Sequence, residues 1–216
     1  QLSALAPDYV FVIGWSQICK PAFREAVGGK VIGYHPAPLP RLRGRAVIPW
    51  TILLDEKITA STLFWIDDGV DSGAILAQRY FHIAPDETAE SLYAQHMDAL
   101  GAMLSTSLPL LARNEAPHIV QNERHATWAT KRTPADGLVH WSRPAQEIWR
   151  LVRAVGRPYP GAFTYDGDEQ LVVWTAEPWA EAPRHAAIPG QVIAITDDSI
   201  IVGCGRPSPS IQTLSS

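Results

Sequence analysis

Two side chains in this sequence of 216 residues could do chemistry together: a histidine in a proline-rich stretch and a carboxylate before a Ser-Gly pair. The first opens His35-Pro36-Ala37-Pro38-Leu39-Pro40-Arg41-Leu42-Arg43-Gly44-Arg45, and the second lies in Asp68-Gly69-Val70-Asp71-Ser72-Gly73. Taken singly, such a histidine is usually incidental, and an aspartate before Ser-Gly is usually a turn former. Each stretch follows a predicted strand of the same sheet, so both are expected at carboxyl ends of neighbouring strands, where α/β sheets bind ligands. A carboxylate placed there orients an imidazole and suits it to proton transfer near neutrality.

The elements that would position this pair can be read from pattern. The apolar run Tyr9 to Ile13 predicts a central parallel strand, and Lys20 to Val27 predicts a helix that stops at Gly28-Gly29. Val31-Ile32 begins a second strand, and the three prolines that follow predict loop from Gly33 onward. Pro49 to Leu54 predicts a short helix, Thr59 to Ile66 and Ala74 to Ile83 two further strands with a turn between them. A long helix opens at Asp86 or Glu87 and runs toward Arg113, with Leu92, His96, Ala99, Met103 and Leu110 on one stripe. From about Ala126 a second unit begins. Ser142 is placed as the N-cap of a helix whose apolar face carries Ile148, Leu151, Val152 and Val155. Short β runs then recur up to Leu214 at the spacing of a small β-barrel. The fold class is therefore α/β followed by a β-rich subdomain, divided as 1–125 and 126–216.

Composition narrows the function classes. With 18 Lys+Arg against 22 Asp+Glu the net charge is −4, which argues against a protein living on nucleic-acid phosphates. Two cysteines far apart make no disulfide framework, and no apolar run reaches the ~18 residues of a membrane span, so a cytoplasmic setting is expected. Phosphate-loop, dinucleotide, zinc-protease and hydrolase motifs are absent, and the remaining histidines have no ligand spacing, so no metal site is expected.

In combination the motifs resemble a family. His-Pro-x-x-Leu-Pro-x-x-Arg-Gly, with Asp-Ser-Gly following 36 positions after the histidine, resembles the formyltransferases that use N10-formyltetrahydrofolate. Val12-Ile13-Gly14-Trp15-Ser16-Gln17-Ile18 is similar to their folate-lining segment. The stretches Arg132-Thr133-Pro134 to Trp141 and Arg153-Ala154-Val155 to Ala162 resemble their linker and C-terminal subdomain. The resemblance implies a Rossmann-like formyltransferase core followed by a small OB-like β-barrel, with formyltetrahydrofolate as co-substrate. It implies that a neutral amine attacks the formyl carbon, with His35 and Asp71 as catalytic residues. Arg45, Arg43 and Tyr34 would meet the acceptor substrate. Trp15, Ser16, Gln17 and Ile18, together with Asp67, Asp68 and Gly69, would meet the folate. It also allows a homodimer, and it implies further strand–helix units ahead of Gln1, so that an N-terminal part is expected to be missing.

One position departs from the pattern. The family's Asn-x-His pair would put an asparagine at 33, and that residue is Gly33. Loss of an oxyanion donor typically costs ~10²–10³ in rate. Another donor could replace it, such as a backbone amide, the Tyr34 hydroxyl or a water. Alternatively the acceptor amine is unusually nucleophilic, or the chain is a folate-binding module with little turnover. From residue 127 onward eight Lys+Arg face nine Asp+Glu, a net of −1, so a nucleotide-linked amino sugar is the expected acceptor and tRNA the alternative.

Overall fold

The protein is described by a computed structural model that covers residues 2–15, 17–205 and 211–215. They form two compact units, one of residues 1–48, 57–83 and 93–131, the other of 49–56, 84–92 and 132–216.

In the first unit, helix α1 (Leu2–Leu5) precedes strand β1 (Val10–Val12), and helix α2 (Pro21–Glu25) begins on a proline, whose missing N–H costs a first turn nothing. Strand β2 (Val31–His35) follows, then a two-residue strand β3 (Arg43–Gly44) and helix α3 (Val47–Leu53), the last crossing into the second unit. Strands β4 (Ile58–Trp65) and β5 (Ile75–His82) lead to the long helix α4 (Ala89–Ala112), and β6 (Trp128–Ala129) pairs in parallel with β3. The main sheet has the order β1-β2-β4-β5. β1 runs parallel to β2, whereas β2–β4 and β4–β5 are antiparallel.

β1 pairs in parallel with β2, and its residues are half-buried. Two expectations change here. β2 continues to His35, so Gly33, Tyr34 and His35 belong to a strand and not to loop; Pro36, without an N–H, ends the ladder. And because β2 and β4 are antiparallel, their carboxyl ends lie at opposite ends of the sheet, so strand ends alone do not bring His35 and Asp71 together.

Ile32 and Leu63 are fully buried from the central strands and pack with Leu76, Leu100, Met103 and Leu111. The buried positions of α4 are Ala89, Leu92, His96, Ala99, Leu100, Met103, Ser107 and Leu111, a stripe at helical period. Counting in steps of four from Met103 reaches Leu111, which is why it is buried and Leu110 is only half-buried.

In the second unit, helix α5 (Ala145–Val155) buries Ala145, Ile148, Val152, Ala154 and Val155. It starts after Pro144, in extended conformation, rather than at Ser142, because the residue before a proline is held out of helical geometry. β7 (Ala162–Asp166) and β8 (Glu169–Val173) form a hairpin. β9 (Thr175–Pro178), β10 (Val192–Ile195), β11 (Ser199–Gly203) and β12 (Ile211–Ser215) form an antiparallel sheet in the order β10-β11-β12-β9. Among the described residues no helix is long and apolar enough to cross a membrane.

One buried polar group gives the first unit a pH dependence. His96 is fully buried on α4, its Nδ1 lies 2.8 Å from Ser61 Oγ, and Phe81 meets its ring edge-on. Burial, reinforced by His35, lowers its pKa to about 4 from an ordinary 6.5. Between those values the unfolded chain binds the proton and the folded one does not, so stability falls as pH drops from about 6.5 to about 4. The loss amounts to about 3 kcal/mol for this one group. Urea titrations across that range should show a shallower acid limb for His96→Gln than for the natural sequence; equal limbs would remove His96 as the cause.

Candidate functional site

The His35 imidazole leaves the last residue of β2, only 5% exposed. Its Nε2 lies 2.7 Å from the Leu42 carbonyl, an acceptor, so Nε2 carries hydrogen. In the neutral ring Nδ1 then holds the lone pair, and it lies 3.5 Å from Asp71 Oδ2. That separation is longer than a good hydrogen bond, and it becomes an N–H···O⁻ contact when the ring takes a second proton. A proton added at Nδ1 would lie between the ring and the carboxylate.

Each partner is fixed by its surroundings. The segment after His35 is tied to the sheet by Thr62 Oγ1, which donates to the Ala37 carbonyl at 2.6 Å. Gln78 Nε2 donates to the Leu39 carbonyl at 3.0 Å and to Thr62 Oγ1 at 2.8 Å. Leu42, whose carbonyl receives the imidazole, sits at φ 57 and donates its N–H to Thr127 Oγ1 at 2.9 Å. The Asp71 carboxylate accepts the Gly44 N–H at 2.8 Å. Gly44 has φ 107, and a Cβ there would come within 2.4 Å of the Ala129 carbonyl oxygen, so only glycine lets β3 approach β6 here. Asp71 is itself at φ 53, and such backbone persists only where the surroundings over-determine it.

The surrounding constraint comes from Gln121. Its Nε2 donates to the carbonyls of Asp71 (2.8 Å) and Gly73 (2.7 Å), while its Oε1 accepts from Arg43 Nη2 at 2.8 Å. Arg43 makes a two-pronged contact with Glu123, Nη1 to Oε2 at 2.9 Å and Nη2 to Oε1 at 2.6 Å. These bonds hold the Glu123 carboxyl below the usual carboxylate range. A chain Glu123–Arg43–Gln121–Asp71 therefore pulls the β4–β5 loop back toward His35, which the antiparallel register alone would not do.

Residues 1–108 match the family described as Formyl transferase, and residues 131–216 match the Formyl transferase, C-terminal domain. The chain belongs to the formyl transferase family. Its fold is similar to that of HypX from Aquifex aeolicus in complex with tetrahydrofolic acid, at 21% identity and a TM-score of 0.76, over 99% of this chain and 37% of HypX. It is similar to WlaRD, a sugar 3N-formyl transferase in the presence of dTDP and 5-N-formyl-THF, at 17% identity and TM-score 0.74, over 96% of this chain and 72% of that one. Methionyl-tRNA formyltransferase from Clostridium thermocellum matches at 24% identity and TM-score 0.68, over 94% of this chain and 81% of that one. The chain thus spans little more than a third of the length of HypX.

Within the formyl transferase fold, two expected substrate contacts are corrected. Tyr34 lies between Gly33 and His35 on the strand, so strand alternation turns its side chain to the opposite face. There its hydroxyl meets Ser61 Oγ at 3.0 Å and donates to the His96 carbonyl at 3.2 Å, and burial pushes its phenol up to about 12. It cannot serve as the oxyanion donor. Arg43 is 2% exposed and committed to Gln121 and Glu123, so it positions Asp71 instead of meeting substrate. Arg45 is exposed, its N–H on the Ala129 carbonyl.

The residues expected at the folate lie in two segments. After β1, Trp15 (62% exposed), Gln17 and Ile18 (72%) are open to solvent; Ser16 lies outside the described residues. In the β4–β5 loop, Asp67 accepts from Gly69 N–H and Ser72 Oγ, which shapes the loop, and Asp68 is ion-paired with Arg24 of α2. That ion pair ties the β4–β5 loop to α2. Exposed Ile13, Trp15, Ile18 and Val70 offer apolar surface of the kind a flat heteroaromatic ring covers, so these residues fit a folate. Among the described residues no group of three His, Cys, Asp or Glu side chains is arranged to hold a metal.

Sequence reading missed Gln121, Glu123, Gln78 and Thr62. Thr59, Ser61 and Thr62 in an otherwise apolar strand were an available signal, since buried hydroxyls need partners. Nothing in residues 121–123 gave one. Gln121→Leu should destabilise the protein by about 1–3 kcal/mol by leaving the Asp71 and Gly73 carbonyls and Arg43 Nε without their partner, whereas Arg45→Ala should change stability by less than about 0.5 kcal/mol. Chemical denaturation of both variants checks this, and equal effects would remove Gln121 from its role.

Proposed function

We propose that this chain transfers a formyl group from N10-formyltetrahydrofolate to a primary amine, with His35 and Asp71 at the catalytic centre. The observation that supports it most is the His35–Asp71 pair, a ring lone pair facing a carboxylate at 3.5 Å and held by a buried network. In the reaction a neutral amine forms a C–N bond to the formyl carbon, and the attacking nitrogen then carries an extra proton. The pair accepts that proton on Nδ1, between ring and carboxylate. It returns the proton to N10 of the folate as the C–N10 bond breaks, which leaves a formamide and tetrahydrofolate. The Leu42 carbonyl keeps Nε2–H in place throughout, so Nδ1 remains the exchanging atom.

The acceptor we favour is the amine of a nucleotide-linked amino sugar. The net of −1 from residue 127 onward offers little to the phosphates of a tRNA, and Arg45 stands exposed beside the site for a small anionic ligand. The intact protein should be assayed with labelled formyltetrahydrofolate against nucleotide-linked amino sugars, free amino acids and initiator methionyl-tRNA. Transfer to an amino sugar, reduced ~10²–10⁴-fold by His35→Ala, is the expected result. Formylated tRNA with steep salt dependence would replace the acceptor. Folate binding without any transfer would leave a folate-binding module.

A further inference from the structure

The space beside His35 that a side chain at position 33 would use is already filled. Gly33 and His35 are two residues apart on β2 and share a face, and Gly33 stands directly opposite Phe64 of β4. A Cβ built on Gly33 would lie 2.7 Å from Phe64 Cζ and 2.8 Å from its Cε1, with Ile66 Cγ1 at 3.1 Å. The ring cannot swing aside freely. Phe64 is 5% exposed and packs with Leu39 and Ile75, with Ile66 against the same cluster. Leu39 belongs to the segment that follows His35, and Gln78 fixes its carbonyl. An aromatic ring laid over a cross-strand glycine supports the strand that the glycine would otherwise weaken.

We infer that Phe64 is a positioning residue of the site: its ring takes the place of a side chain at 33 and braces β2 and the Pro36–Leu39 segment on either side of His35. It also keeps every side-chain hydrogen-bond donor out of the place two residues before the imidazole. Gly33 and Phe64 act as one unit, neither replaceable alone. Charge developing on the formyl oxygen is then met by groups other than residue 33. This inference rests on the proposed formyl transfer for its kinetic part and on packing alone for its structural part.

The test is a double-mutant cycle in the intact protein: Gly33→Asn, Phe64→Ala, and the two combined, with Gly33→Ala as a milder probe of the same space. Melting temperature, kcat and KM are read for each. Gly33→Ala and Gly33→Asn should each melt lower by several degrees, and Gly33→Asn should lose tenfold or more in kcat. The combined variant should melt higher than the sum of the single shifts predicts. Its kcat should exceed that of Phe64→Ala with little change in KM, because the amide now has room to act as a donor; a purely structural role would not give that split. Additive melting shifts, or a Gly33→Asn protein as stable and active as the natural one, would overturn the inference. If the natural protein transfers no formyl group, the proposed function fails, and the melting cycle still decides whether Phe64 and Gly33 are coupled.

Discussion

Asp71 reaches His35 because of one amide. β2 and β4 run in opposite directions, so the chain leaves them at opposite ends of the sheet, and the β4–β5 loop must turn back to bring a carboxylate to the imidazole. Gln121 holds it there through two carbonyls, and is itself held by Arg43, which Glu123 grips from the other side. The links made by Arg43 are charge-assisted and Gln121 is buried, which strengthens these bonds relative to water and makes a broken link costly. The positive-φ backbone at Leu42, Gly44, Ala46 and Asp71 lies on the same segments, so a strained conformation and the network that enforces it coincide.

Position 33 shows how packing and chemistry share one strand. Core side chains of β2 and β4 alternate, one face toward α4 and the other toward the His35 segment. Tyr34 goes to the first, with Ser61 and His96; Gly33 and His35 go to the second. Phe64 fills the second face where a polar side chain would otherwise stand. A polar donor and a closed apolar packing compete there for the same few cubic ångströms, and in this chain the packing has won.

Much of this was legible in residue types. The punctuation by Gly28-Gly29, the prolines after His35 and the helical stripe of α4 all follow from local rules, as do the His35 and Asp71 candidates. The rest was not, for physical reasons. Strand direction depends on pairing between distant segments, so nothing local told that β4 runs antiparallel to β2. Tyr34 lies in a strand where the prolines predict loop, and alternation sends its side chain to the far face. Arg43 and Arg45 differ by two positions in sequence and by complete burial in space, because Arg43 meets partners 78 and 80 residues away. Gln121 had no signal at all, since a glutamine in an irregular stretch is ordinary until its partners are known.

The claim that His35 and Asp71 work as one proton-handling unit has a direct test. Single-turnover formyl transfer should be measured for His35→Ala, Asp71→Asn and the double variant, with folate binding followed in parallel. Two groups acting as a unit give non-additive losses, so each single change should cost nearly as much as both together while folate still binds. Losses that multiply, or an Asp71→Asn protein that transfers formyl groups at the natural rate, would contradict a paired centre.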